Sequence, residues 1–449
     1  MKTVDRVAPL TSPRILFLTS SAFNNVTGGG ITFTNLFKGW PGDALATVHS
    51  DSVPVARGVC EQYFRLSERE IHRWGWMRHV PLGKPAAATQ ENSAPSLSRR
   101  WGFSLLKRVK IWVFGDGIPE TARLTPELEA WVMAFRPTVL YTILGSNAHM
   151  ELAEQLRVRF RLPLVVHIMD DWVSVLYRGG LLSPWQRRKK ERLFQHLMDV
   201  AAARFAICDA MAEAYRSRYG QPFLSFQNAI DVGVWQGFAK DPGVVSYPIR
   251  VAYIGSILPF AQLGSLVDCC RAVQALADSG FSIGMEIYSP AFLAEQYREQ
   301  LVVGKAISLH DTLSDDTEFF DTLRAVDILV LPVNFDRYTV EFIRYSMPTK
   351  VPAYLTVGTP VLAYGPAGVA QISYAAAAGW GMTVTERDAG QLQQAIKRLV
   401  SDIPLRIELS KRARATAAAR HDAAVVRADF QAALTDAAVG SGCVELPSP

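Results

Sequence analysis

Three short stretches of the chain concentrate residue types that hold phosphate or accept hydrogen bonds from hydroxyl groups. Gly28-Gly29-Gly30 lies between the apolar run Arg14–Ser20 and an apolar-periodic segment, Ile31–Trp40. A glycine loop lets backbone N–H groups approach a phosphate, and the dipole of a following helix favours negative charge there. The same triplet also reads as a tight structural turn, and both readings stand. Asp170-Asp171 follows the apolar run Leu164–Ile168. At a strand end such a pair either caps the next helix or accepts hydrogen bonds from a ligand. Ser346-Met-Pro-Thr349-Lys350 places two hydroxyls and one ammonium ahead of a mostly apolar segment.

The elements that must position these residues alternate between strand and helix. The run Arg14–Ser20 predicts a strand, the glycines a loop, and Ile31–Trp40 a helix. Thr138–Ile143, Leu164–Ile168 and Arg204–Ile207 predict further strands. Asn147–Phe160, the basic Pro184–Val200 and a segment from Asp209 predict helices. Lys84–Ser98, rich in Pro, Ala and Ser, reads as a loop, and Lys240–Pro248 as a linker. The pattern then restarts with strand Arg250–Ile254, which ends in Gly255-Ser256, and a helix over Gln262–Ser279. Strands follow at Ser282–Tyr288, Ala306–Leu309, Ile328–Leu331, Pro360–Ala363 and Met382–Val384. This alternation implies an α/β chain of two doubly wound parallel-sheet domains. The expected divisions are 1–235, 248–402, and a C-terminal helix with a disordered tail over 403–449. Ligands of open α/β sheets bind at the carboxyl ends of the strands, so two facing domains imply a site in a central cleft.

Composition narrows the function classes. A formal charge of +5 in 449 residues argues against a dedicated nucleic-acid binder. The five cysteines, Cys60, Cys208, Cys269, Cys270 and Cys443, form no CxxC pair, which suggests neither a zinc site nor a disulfide framework. They fit a reducing compartment as small core residues. Met1–Pro13 lacks the features of a signal peptide, and no run reaches the roughly 18 apolar residues of a membrane span. The expected location is cytoplasmic.

Four stretches together resemble the GT-B glycosyltransferases, specifically the group-one (family-four) retaining enzymes. They are Gly28–Gly30, Pro163–Trp172, Asn228-Ala-Ile-Asp231 and Ser346–Val361, the last with a Gly358-Thr-Pro360-Val361 exit into the next strand. The resemblance covers roughly Arg14 to Asp402. It implies two Rossmann-like domains, an acceptor-side one and a donor-side one. Asp170 or Asp171 is then expected to hydrogen-bond a sugar hydroxyl; Met169 stands where similar enzymes have His, and His167 reads as core-facing. Thr349 would supply hydroxyl and backbone donors to a diphosphate, and Lys350 a point charge. The motif also departs from the family. Ala353 occupies the position of its second Glu, Tyr345 that of its partner acid, and Gly255–Gln262 lacks the Arg and Lys that follow the first C-domain strand. Lys350, Arg344 and Arg337 are the cations that would compensate.

The implied reaction is metal-independent, retaining transfer of a hexosyl-type sugar from a nucleotide sugar to a glycan or lipid-linked acceptor in cell-surface polysaccharide synthesis. The expected chemical residues are Asp170, Asp171 and Lys350. The expected donor-binding residues are Gly28, Gly29, Gly30, Gly255, Ser256, Ser346, Thr349 and Lys350. No metal ligand and no cofactor beyond the donor itself is expected. A sugar-nucleotide epimerase of the same fold and a degenerate nucleotide- or glycan-binding protein are the alternatives. Two basic stretches, Arg99–Lys110 with Trp101 and Trp112 beside it, and Arg187–Arg192, suggest peripheral contact with an anionic membrane surface. Both also read as ordinary structure, a solvated helix face and core tryptophans.

Overall fold

The computed structural model describes residues 12–24, 27–73, 109, 111–115, 117, 119–313 and 315–439. The expected loop Lys84–Ser98, the basic residues from Arg99 to Arg108 with Lys110, and the tail after Gly440 lie outside them. The chain divides into two compact units, residues 1–206 with 212–225 and 427–449, and residues 207–211 with 226–426.

The first unit contains β1 (Ile15–Thr19), β2 (Leu45–His49), β3 (Gln62–Arg65), β6 (Val139–Thr142), β7 (Leu164–Ile168), β8 (Ala203–Ala206) and β9 (Leu224–Ser225). They form a parallel sheet in the order β3-β2-β1-β6-β7-β8-β9. A small antiparallel pair, β4 (Ile71–Arg73) and β5 (Glu120–Ala122), stands apart from it. A parallel sheet is covered on both faces, so its inner strands bury every side chain, as β1, β2 and β7 do. Helices α1 (Gly28–Phe37), α2 (Pro126–Phe135), α3 (Asn147–Phe160), α4 (Ser183–Val200) and α5 (Asp209–Tyr219) provide the covering. Phe17 of β1 packs against Phe33 and Phe37 of α1 and Tyr141 of β6, with ring centroids 5.0–6.0 Å apart.

The second unit holds β10 (Ile249–Ile254), β11 (Ile283–Tyr288), β12 (Ile307–His310), β13 (Ile328–Pro332), β14 (Val361–Tyr364) and β15 (Gly381–Val384). Their order is β12-β11-β10-β13-β14-β15, again all parallel. Helices α6 (Leu263–Asp278), α7 (Asp316–Ala325), α8 (Arg337–Ile343), α9 (Val351–Val357), α10 (Ala370–Ala378), α11 (Ala389–Ser401) and α12 (Ile403–Arg420) complete it.

The expected linker Lys240–Pro248 is bonded to this unit. Lys240 pairs with the fully buried Asp327 at 3.3 Å, whose carboxylate also accepts from the Ser246 and Arg250 amides. The buried Arg406 of α12 donates to the carbonyls of Pro242, Val244, Asp327 and Leu399. A buried guanidinium needs such a set of acceptors to offset its lost hydration. The last helix, α13 (Ala423–Val439), begins in the second unit, and its residues from Arg427 belong to the first. There Phe430 packs on Phe37, Tyr141 and Phe205, and Arg427 donates to the Asn35 carbonyl. Among the described residues no helix is long and apolar enough to cross a membrane.

Candidate functional site

In the first unit the strand order reverses between β1 and β6, the switch point where open sheets bind ligands at their carboxyl edge. The glycine triplet follows β1 there, but it is the first turn of α1 and not a loop before it. The reason is local: Thr27, in extended conformation, accepts a 3.1 Å bond from the Gly30 amide and so caps the helix three residues earlier than the apolar periodicity shows. Asn24 in turn accepts from the Thr27 amide and hydroxyl at 2.7 and 3.1 Å. The triplet is not uniform. A side-chain carbon at Gly30 would stand 2.3 Å from the Asn24 amide nitrogen, whereas one at Gly29 would meet only Phe33, at 3.8 Å. The amides of Gly28 and Gly29 belong to the turn whose N–H groups have no intrahelical acceptor.

A polar cluster surrounds this turn. Asp51 accepts from the Ser21 hydroxyl and the Ala22 amide at 3.1 and 3.2 Å, and lies 2.6 Å from His49 Nδ1. His149, in the first turn of α3, sits 3.0 Å from the Ser146 hydroxyl and 3.4 Å from that of Ser50. Burial pulls its pKa down to about 4, so it is a neutral imidazole at pH 7. Sequence reading missed His49, Asp51 and His149. The signal present for the first two was a polar His-Ser-Asp directly after the apolar run at Leu45.

The two aspartates after β7 have separate environments. Asp171 is buried. One of its oxygens accepts from Tyr215 at 2.6 Å and Arg218 at 3.0 Å, the other from Ser174 at 2.8 Å and Arg218 at 3.2 Å. It therefore ties the turn Trp172–Val175 to α5 with both oxygens occupied. Asp170, one residue nearer the strand, is only partly buried. His167 is core, as one reading of it had it: fully buried, 2.6 Å from the Tyr141 hydroxyl, with its pKa lowered to about 3 by burial.

In the second unit the switch point falls between β10 and β13. Gly255 follows β10 with φ +138°, a conformation that favours glycine, and Ser256 comes next. Asn334, just past β13, clamps the loop they open. It donates to the Pro259 carbonyl at 2.8 Å and accepts from the Ser265 amide at 3.1 Å. Ser346 and Thr349 lie in the turn ahead of α9, which begins only at Val351, so the helix is shorter than the motif suggests. Lys350 directly precedes it. Its Nζ donates to the Ile254 carbonyl at 3.0 Å, lies 3.8 Å over the Tyr253 ring, and would be 3.2 Å from a side-chain carbon at Gly255. Lys350 as a whole is half-buried, and the desolvation of its ammonium lowers its pKa to about 7. Of the three candidate cations it is the one shown at this strand end. Arg337 is exposed and pairs with the half-buried Glu341 at 2.9 Å. Ala353 is buried, an alanine side chain where the family has its second Glu.

Of the second basic stretch, Lys190 does not belong to a solvated face. It is buried and donates to the Val173 and Leu176 carbonyls, because its position in α4 falls on the stripe Gln186–Lys190–Phe194–Leu197 that faces the core. Lys189 pairs with Glu151 at 2.5 Å. Among the described residues there is no group of three or more His, Cys, Asp or Glu side chains that could hold a metal ion.

The architecture is that of the GT-B glycosyltransferases. Sucrose-phosphate synthase from Thermosynechococcus elongatus superposes with a TM-score of 0.59 over 93% of this chain and 97% of its own, at 14% identity. Anabaena HepE, in a complex with UDP, gives 0.57 over 94% and 100%, at 15% identity. WaaG, a glycosyltransferase involved in lipopolysaccharide biosynthesis, gives 0.52 over 95% and 100%, at 11% identity. No family model and no curated protein sequence matches the chain. At these identities the likeness is one of fold.

Proposed function

We propose that the chain is a glycosyltransferase that moves a sugar from a nucleotide-sugar donor to a hydroxyl of a glycan or lipid-linked acceptor. The observation that carries this is the Lys350 ammonium beside the Ile254 carbonyl at the carboxyl end of β10. Similar enzymes place their cations on the loop after that strand. Here the loop has none, and a lysine from the turn before α9 reaches the same strand end instead. Solved proteins of this fold include a complex with UDP-glucose.

In this reading the bond between the anomeric carbon and the diphosphate breaks, the acceptor oxygen bonds to that carbon, and the acceptor's hydroxyl proton passes to the departing diphosphate. Negative charge grows on the departing diphosphate, and preorganised donors that meet it lower the barrier. Lys350 supplies charge, while Thr349, Ser346 and the Ser256 amide supply hydrogen bonds; the Gly255 amide is donated to the Tyr288 carbonyl. Gly28 and Gly29 offer first-turn amides on the acceptor-side unit, that of Gly30 being taken by the Thr27 cap. Asp170 accepts a bond from a sugar hydroxyl, and Asp171 holds the backbone that positions it. Transfer proceeds without a metal and with retention, and the product belongs to cell-surface polysaccharide made by a cytoplasmic, peripherally membrane-bound enzyme.

The test is a thermal-shift screen against UDP, GDP, ADP and their sugars, followed by a product assay with and without acceptor. A ligand bound by the native state raises the melting temperature with the logarithm of saturation. No shift with any nucleotide sinks the proposal. One observation favours a second reading, a binding protein without transfer: the buried Ala353 stands where the family has its donor-facing acid. Nucleotide binding with no product supports it.

A further inference from the structure

The adjacent strands β2, β1 and β6 of the first unit end in a hydroxyl-bearing rim that the proposed chemistry leaves unused. Ser20 and Gly145 are exposed there, and Ser50 and Ser146 are half-buried. A side-chain carbon at Gly145 would stand 3.8 Å from the Ser20 hydroxyl, so the turns after β1 and β6 lie side by side. Beneath them the buried His149 reaches Ser146 at 3.0 Å and Ser50 at 3.4 Å.

Two features of this rim point to a ligand. Thr142 closes β6 and Asn147 opens α3. The Thr142 hydroxyl and Asn147 Oδ1 are buried, and neither has a hydrogen-bond partner among the described residues. A polar atom that gives up water without gaining a partner is costly, and native chains seldom keep one that nothing binds. Ser50 is held loosely as well. Its hydroxyl lies 3.4 Å from both the Ser20 carbonyl and His149, longer than an ordinary hydrogen bond.

The kind of ligand follows from which donors are already spent. A helix N-terminus attracts anions, and α3 has fourteen residues. Its first turn, however, is occupied: the Asn147 amide donates to the Tyr177 hydroxyl and the His149 amide to the Ser146 hydroxyl, each at 3.3 Å. The neutral ring of His149 has one N–H, and it hydrogen-bonds the Thr19 carbonyl. None of these groups is a cation, and Asp51, next to Ser50, brings a negative charge. An ionised phosphate only accepts hydrogen bonds, and it would meet further acceptors here. A sugar hydroxyl both donates and accepts, which suits Asn147 Oδ1 and the hydroxyls of Thr142 and Ser50.

We infer that Ser50, Thr142 and Asn147, beside Ser146 and His149, form a subsite for an uncharged sugar of the acceptor and discriminate against a phosphorylated one. The inference rests on the proposed transferase reading, whose acceptor it narrows.

Saturation-transfer NMR on the full chain without donor tests it. The probes are the methyl glycosides of glucose, galactose, mannose and N-acetylglucosamine, and the 6-phosphates of the same sugars. At least one glycoside is expected to bind, and its 6-phosphate to bind about tenfold more weakly or worse. Asn147→Ala removes an unpartnered buried atom, so it is expected to keep or raise the melting temperature while weakening that glycoside about fivefold. A purely structural asparagine would show the opposite. Ser50→Ala, at the half-buried rim, is expected to weaken the glycoside similarly at an unchanged melting temperature, and it decides the matter should Asn147→Ala fail to fold. No bound glycoside, as when buried water alone serves Thr142 and Asn147, overturns the inference. So does a 6-phosphate that binds as tightly, or wild-type affinity in either folded variant. Selective glycoside binding by a chain that makes no product from any nucleotide sugar sinks the transferase reading and leaves the subsite standing. Product formed on a hexose 6-phosphate and on no neutral sugar does the reverse.

Discussion

The Lys350 ammonium sits 3.8 Å above the centre of the Tyr253 ring and 3.0 Å from the Ile254 carbonyl. Burial there brings its pKa to about 7, so a charge suited to a diphosphate titrates near neutrality. Only the protonated form attracts an anion. Affinity for a nucleoside diphosphate is therefore expected to fall as pH rises through the neutral range, relative to Lys350→Met. The comparison removes the nucleotide's own titration, which both proteins share. Calorimetric titration across pH checks this. Parallel pH profiles for the two proteins remove Lys350 from the diphosphate site.

The same burial has a cost in stability. The folded-state pKa lies below the unfolded value, so the unfolded chain binds more protons between about pH 7 and pH 10.4. The penalty is complete below pH 7 and fades as pH rises towards 10.4. Lys350→Met is expected to melt above wild type at pH 6, with the gap narrowing as pH rises, while its nucleoside-diphosphate affinity drops. Melting curves at several pH values read it; a gap that grows with pH contradicts the sign.

Gly29 and Gly30 are expected to part company on substitution. Gly30→Ala drives a carbon into the Asn24 amide, which already holds the cap of α1, and is expected to cost about 1–3 kcal/mol of stability. Gly29→Ala has room and a helical position, so it is expected to keep or slightly raise stability. If Gly29 gives a ligand close access to the backbone, the alanine instead raises KM. Denaturant unfolding and initial rates separate the two; equal stability losses refute the distinction.

Asp170 and Asp171 are expected to fail differently. Asp171→Ala strands Tyr215 and Arg218 and is expected to cost about 1–3 kcal/mol. Asp170→Asn is expected to leave the unfolding free energy within about 0.5 kcal/mol of wild type while lowering kcat/KM. The reverse pattern exchanges their roles.

The alternation of strand and helix is local, and residues alone gave it away: Leu164–Ile168, broken only by His167, and Ile328–Pro332 are apolar because a parallel sheet buries both faces. The glycine turn after Ser20 and the acids after Ile168 were legible for the same reason, since they punctuate those runs. What stayed hidden depends on partners far along the chain. Nothing near Asp171 announces that Tyr215 and Arg218, more than forty residues away, will occupy both its oxygens. Nor does the run Arg187–Arg192 show that Lys190 turns inward to the Val173 carbonyl while Arg187 and Arg188 stay in water. Lys350 shows it most clearly. The sequence supplies an ammonium and an absent cation about a hundred residues apart. Only the pairing of β10 with β13 brings the turn before α9 to Ile254, and only the enclosed space over Tyr253 decides how readily that ammonium keeps its proton.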